Sequence, residues 1–356
     1  MLMVIFGAGA SYDSMPAHPA SNGQYSQDRP PLASQLFEDR EVFAVALSEF
    51  PECHPIIPWL REPKGTSLEG VLQRLQDEAK DYPTRLSQLA AVRYYLQQML
   101  CRCEQQWRHA AQGITNYKSL LDTVEQWRQF RDESVCLVTF NYDTLLEDAL
   151  PAVGLGLDSI SSYISAHPRY VVIKLHGSVN WSREVDAPTD FLRQYGGHGV
   201  RNELIKRAAQ LEVSSRYVQE NPYSTGLCDG KVVFPAIAIP VEKKSQFECP
   251  SDHLEALRSR LPRVRKVLII GWRAMEDHFL KLLSEHLQFP LEVMVVDHSP
   301  DSATEVGRRL QMVIGTRMSR PVESVSGGFT EFVVSRRVVS FLESESRQHT
   351  PLPHLG

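Results

Sequence analysis

Three short stretches place chemically capable residues where apolar runs end. Gly7 and Gly9 follow the run Leu2 to Phe6, Asn141 and Asp143 follow Val135 to Phe140, and His176 and Gly177 follow "YVVIKL". Glycine lets a backbone come close to a phosphate without a Cβ in the way, and a following helix start could add amide donors. An amide, a carboxylate and an imidazole at converging strand ends are what an α/β fold offers to a ligand in the crevice beyond its strands. Each residue also has a plainer account. The glycines could form a structural turn, Asp143 could cap a helix over "TLLEDAL", Asn141 could satisfy loop amides and His176 could be a core histidine. A dinucleotide fingerprint would need a third glycine at position 12, where Tyr12 stands, so an ordinary hydride-transferring dehydrogenase is disfavoured.

The elements that must position these residues follow from apolar periodicity. Strands are predicted at 2–6, 135–140, 170–175, 231–239, 266–271 and 291–297, and helices at 143–150, 253–261, 276–287 and 302–312. That alternation predicts an α/β fold, a parallel sheet with helices on both faces. The segment from Tyr12 to Ser34 is rich in Pro, Ser, Asn and Gly and reads as a long loop in place of an immediate helix. Apolar spacings of three and four residues then predict a helical insertion over 36–131, in which Leu86, Leu89, Val92, Leu96 and Met99 are core positions. The expected division is a first strand, glycine loop and lid over 1–35, the helical insertion over 36–131, the rest of the core over 132–343 and a frayed tail over 344–356. A last helix is expected across "FTEFVVSRRVVSFLES".

Composition narrows the function classes. With 42% hydrophobic and 23% charged residues the chain reads as an ordinary globular protein, and 38 basic against 43 acidic residues give no global pull toward nucleic acid. The cluster Arg258, Arg260, Arg263, Arg265 and Lys266 reads as a solvated helix face in preference to a partner or nucleic-acid surface, so direct nucleic-acid binding is not expected. No apolar run reaches the ~18 to 20 residues of a membrane span, and the N-terminus lacks the basic leader of a signal peptide. No membrane association and a cytoplasmic location are the expectations. The six cysteines form no C-x-x-C pair, so neither a zinc ribbon nor any other metal site is expected.

Taken together, "GAGAS", "TFNYD" and "KLHGS" resemble the sirtuin family. Gly7, Ala8, Gly9 and Ser11 match its Gly-Ala-Gly-x-Ser loop, Thr139, Asn141 and Asp143 its Thr-x-Asn-x-Asp strand end, and His176 with Gly177 its His-Gly strand end. "VLIIGWRAMEDHF" and "LEVMVVDHS" fall, at a looser level, where the family has further NAD-contacting strand ends, which brings in Gly271 and Asp297.

The resemblance implies a Rossmann-like core that takes NAD as substrate and breaks the bond between nicotinamide and ribose. Oxocarbenium character builds on the ribose in that step, so polar groups must be held ready where charge develops. Asn141 would hold a water or ribose hydroxyl, His176 would act as general base, and Asp143 would orient the carboxamide or its loop. Gly7, Ala8, Gly9, Ser11, Thr139, Gly177, Gly271 and Asp297 would contact the cofactor, and the Pro-rich loop after Ser11 would be the lid. Deacylases of the family carry a four-cysteine zinc ribbon after the His-Gly motif, where this chain has Cys228 and Cys249 alone. That departure, the helical insertion and "NYD" look like the sirtuin-like effectors of bacterial anti-phage defence, which hydrolyse NAD to nicotinamide and ADP-ribose. Such an enzyme would be a homo-oligomer restrained by a separate regulatory protein, such as a HerA-type hexameric translocase ATPase or a nucleotide-processing enzyme. The alternatives are an NAD-dependent deacylase or ADP-ribosyltransferase, and a non-catalytic module that senses NAD or ADP-ribose.

Overall fold

The computed structural model describes residues 1–20, 23, 27–187, 191–220, 226–242 and 246–344. In chain order its strands are β1 (Leu2–Phe6), β2 (Val135–Thr139), β3 (Tyr170–Lys174), β4 (Gly177–Val185), β5 (Val213–Gln219), β6 (Leu227–Cys228), β7 (Lys231–Ile237), β8 (Lys266–Ile270), β9 (Glu292–Val296) and β10 (Glu323–Val325). Six of them form one parallel sheet in the order β10-β9-β8-β1-β2-β3. Counted within that sheet alone, this is the doubly wound order 3-2-1-4-5-6 of dinucleotide-binding folds. Every residue of β1, β2, β3, β8 and β9 is buried, as expected of parallel strands covered on both faces.

Register decides where the chain can present a ligand site. Phe6 stands level with Thr139 and Ile270, Thr139 with Lys174, and Ile270 with Val296. One straight row therefore follows the sheet: Gly7, Phe140, Leu175, Gly271 and Asp297, each donating its backbone N–H to the last carbonyl of the next strand.

Several expectations change. The run 231–239 has the buried apolar character of a parallel strand, yet β7 pairs antiparallel with β4 and β6 in a second sheet of order β5-β4-β7-β6. The predicted helix over 143–150 is instead a turn followed by a 3-10 segment, Glu147–Val153, whose Pro151 cannot continue an α-helical ladder. A one-turn helix, Ala8–Tyr12, follows β1 at once where a loop was expected. The last helix breaks in two, Gly328–Val334 and Arg337–Glu343, with Arg336 left-handed at φ 57° between them. Lys266 is not on a solvated face; it is buried, 2.6 Å from Glu292. Of the expected tail, residues 345–356 lie outside the described residues.

Two apolar clusters share one long helix, Pro83–Ala111. Its stretch from Leu89 to Cys103 packs with the shorter helices Glu41–Leu47, Ile57–Arg61 and Leu68–Glu78 and with the second sheet. Trp107 and Ala111, near its end, join the cluster around the parallel sheet. The next helix, Asn116–Arg131, lays Tyr117, Leu120, Leu121 and Val124 against that same cluster at helical spacing. No helix among the described residues is long and apolar enough to cross a membrane.

Candidate active site

The glycines are demanded by the backbone itself. A Cβ on Gly7 would stand 2.5 Å from the Gly271 carbonyl oxygen and 2.6 Å from Trp272 Cα, and one on Gly9 2.8 Å from Gly271 Cα. Gly271 is left-handed at φ 62°, and its N–H and carbonyl join the ends of β9 and the Gly7 turn. β1 and β8 thus meet at the point where the strand order reverses, the place an open α/β sheet leaves for a ligand. Gly177 is also left-handed, at φ 78°, and a Cβ there would collide with the Ala236 carbonyl of β7.

Asn141 sits one residue beyond the row and is buried. Its backbone N–H donates to Thr139 Oγ1 at 3.0 Å. Its side-chain Nδ2 donates to the Gly7 carbonyl at 3.0 Å, to Ser11 Oγ at 2.9 Å and to Tyr117 Oη at 3.2 Å. Ser11 Oγ and Tyr117 Oη are themselves 2.9 Å apart. Asn141 Oδ1 is buried and has no partner among the described residues. A buried carbonyl oxygen without a donor is costly, and it is the acceptor a ligand hydroxyl or water would fill.

Asp143, also buried, accepts from the Leu145 N–H at 3.2 Å. The helix it was expected to cap is absent: the 3-10 segment starts at Glu147 without a side-chain cap, and the Asp143–Leu145 bond closes a local turn. Burial raises the pKa of its carboxyl, while the Lys174 charge, Ser11 and the Leu145 amide oppose the rise. Lys174, wholly buried at the end of β3, donates to the Asp143 carbonyl at 2.5 Å and to Glu147 Oε1 at 2.7 Å. On the other side Glu104 of the long helix accepts from the Thr144 N–H at 2.9 Å and pairs with Arg108 at 3.1 Å. Burial pushes the Glu104 carboxyl up to about 7, against the pull of Arg108.

His176 follows the end of β3 and is buried. Its ring packs edge-on against Phe140, with centroids 5.0 Å apart, and lies 3.9 Å from Glu276 Oε1. Glu276 is held in turn by Trp272, whose indole N–H donates to its Oε2 at 2.6 Å and whose ring stacks on Phe140. Aromatic walls and one carboxylate thus surround the imidazole, a setting suited to a base that must be oriented and kept from bulk water.

The segment after Ser11 is tied down where it is described. Buried Arg29 donates to the carbonyls of Tyr12, His18 and Pro19, and Trp107 of the long helix donates to Ser14 Oγ at 2.8 Å. Residues 21, 22 and 24–26 of the expected lid lie outside the described residues.

Among the residues singled out from sequence, Gly7, Gly9, Ser11, Thr139, Asn141, Asp143 and Gly271 form one connected cluster. Ala8 opens the one-turn helix beside them, and His176 with Gly177 occupies the neighbouring strand end. Asp297 stands apart on the same row, two strands from β1, with its carboxylate accepting from the Ser299 N–H at 3.3 Å. Tyr117, Glu104, Lys174, Trp272 and Glu276 are the contributors that sequence reading missed. Only Lys174 carried a signal, a lone lysine inside an apolar strand, which calls for a buried counter-charge.

No curated protein gives a significant sequence match to this chain. Among solved structures, one of Sir2Tm bound to a propionylated peptide aligns at 14% identity over 96% of this chain and 92% of that chain, with a TM-score of 0.40. A complex of Sir2, a p53 peptide and NAD+ aligns at 13% identity over 96% and 92%, with a TM-score of 0.35. The stretch from β2 through Asn141, His176 and the strands β4 and β5 of the second sheet, residues 135–221, matches the family model described as a SIR2-like domain.

Proposed function

We propose that this protein is an NAD glycohydrolase, which with water converts NAD to nicotinamide and ADP-ribose. The observation that carries this reading is the buried, unpartnered Oδ1 of Asn141 at the reversal point of a sheet with dinucleotide-binding order. The SIR2-like stretch that contains both Asn141 and His176 supports it. In the reaction the C1′–N bond of the nicotinamide riboside breaks, and nicotinamide leaves with the bonding pair. Water, held by Asn141 Oδ1, adds to the cationic ribose, and His176 accepts the proton it releases. Asp143 and Ser11 hold the glycine loop and the Asn141 turn against each other while charge develops.

Unrestrained NAD hydrolysis would exhaust a cell, so the reading carries a need for control. We place that control in self-association and in a separate regulatory protein, with NAD depletion on activation as the biological output. Purified protein, assayed alone and with candidate regulators, is expected to release nicotinamide. Asn141→Ala and His176→Ala are expected to abolish release while circular dichroism and melting temperature stay near wild type. Undiminished turnover in both variants would remove the site assignment. Release that occurs only with an acylated peptide would replace hydrolysis by deacylation, and bound NAD recovered uncleaved from the regulated complex would favour a sensing module.

A further inference from the structure

We infer that Tyr117 is a positioning residue for this site: its phenol fixes the plane of the Asn141 amide and so leaves Oδ1 as the one end of that amide open to a ligand. The inference rests on the NAD-cleaving reading for its activity readout but not for its geometry. Tyr117 belongs to the helix Asn116–Arg131, outside the three stretches that carry the family resemblance.

The Asn141 side chain has two N–H bonds to give. One meets the Gly7 carbonyl, and the other lies between Ser11 Oγ and Tyr117 Oη. With a single anchor the amide could turn about its hydrogen bond to Gly7; two anchors fix the plane and, with it, the direction of Oδ1. The two hydroxyls differ as anchors. Ser11 presents its hydroxyl on a single rotatable bond, whereas the Tyr117 ring is buried between Phe6 and Phe329, at 5.2 and 5.4 Å between centroids.

The amide end of this network has a fixed direction. Ser11 Oγ and Tyr117 Oη lie 2.9 Å apart, so one of the two hydroxyls donates to the other. Both hydroxyl oxygens accept from Asn141 Nδ2, because an amide nitrogen can only donate. Burial holds the phenol neutral, with a pKa well above the ordinary tyrosine value, so it meets the amide as an uncharged hydroxyl. An amide turned end for end would set Oδ1 against the Gly7 carbonyl, acceptor against acceptor.

The test is Tyr117→Phe, which keeps the ring packing and removes only the hydroxyl. Nicotinamide release is expected to lose roughly tenfold to a hundredfold in kcat with KM within about twofold of wild type. A role confined to stability would instead lower the melting temperature and leave kcat per folded molecule intact. The second readout needs no turnover: in protein labelled with 15N at asparagine, the Asn141 side-chain amide, identified by its loss in Asn141→Ala, should be slow to exchange in wild type. In Tyr117→Phe it should shift and exchange faster. Wild-type kcat in Tyr117→Phe, in an assay where Asn141→Ala is dead, would overturn the inference. If the wild type cleaves no NAD under any condition, the proposed function fails, and the amide signal alone decides: unchanged in Tyr117→Phe, it overturns the positioning role.

Discussion

Two buried carboxyl groups flank the Asn141 turn, and they make the site pH-dependent. Glu104 faces Arg108, Asp143, Asp148 and the Thr144 amide, and burial is the largest influence on its pKa. The folded protein holds a proton on Glu104 up to about pH 7, while the unfolded chain gives it up near 4.5. Between those values the folded state binds more protons, so stability falls as pH rises, by at most about 1.4 kcal/mol per pH unit from this group. Glu104→Gln keeps an acceptor for Thr144 and removes the titration. Its stability, from urea unfolding at pH 5, 6 and 7, should vary less across that range than that of wild type, and an identical slope in both proteins would count against this assignment. Asn141, Asp143 and His176 were legible beforehand because polar letters ending apolar runs are conspicuous. Glu104 and Tyr117 were not, because each lies in an ordinary helical pattern and meets the site through separations of 40 and 24 residues.

Among the elements, the meeting of β1 and β8 is the tightest joint in the site. A methyl group at Gly271 would press on Gly9 and the Ala10 nitrogen, and its φ of 62° would be strained in any L residue. Gly271→Ala is therefore expected to cost at least about 2 kcal/mol and to disrupt the Gly7 turn. Gly230→Ala is the matched control, since Gly230 has a similar φ of 76° with open space around it and should lose only the backbone strain, about 1 kcal/mol. Equal losses in denaturant unfolding would show that close approach contributes nothing at Gly271. The parallel strands could be read from their continuous apolar runs, whereas β7 misled for the same reason. "KVVFPAI" is apolar enough to be a central parallel strand, and nothing local tells that its partners are β4 and β6 in reversed direction. The turn after Asn141 misled differently, because a helix-like apolar pattern was overridden by Pro151 and by the Lys174 amine bound to the Asp143 carbonyl.

At the scale of the molecule, the helix Pro83–Ala111 joins what a reading of sequence separates into insertion and core. Tyr94, Tyr95 and Leu96 lie in one apolar cluster, and Trp107 and Ala111 in the other. Its far end touches both sides of the site, through Trp107 to Ser14 and through Glu104 to Thr144. A helix that is continuous through two cores should make them unfold together, because losing either core removes the tertiary packing from which most helical stability comes. Tyr95 tests this from a distance: it stacks on Phe37 at 5.1 Å and donates to the Leu36 carbonyl at 2.8 Å, inside the cluster that excludes the parallel sheet. Tyr95→Ala should cost about 3–5 kcal/mol by opening a cavity there. In hydrogen exchange at moderate urea, peptides covering residues 135–145 and peptides from the helical region should then lose protection in parallel. Faster exchange confined to the helical peptides, with the Asn141 turn as protected as in wild type, would mean that the two cores are independent and that the long helix transmits nothing to the site.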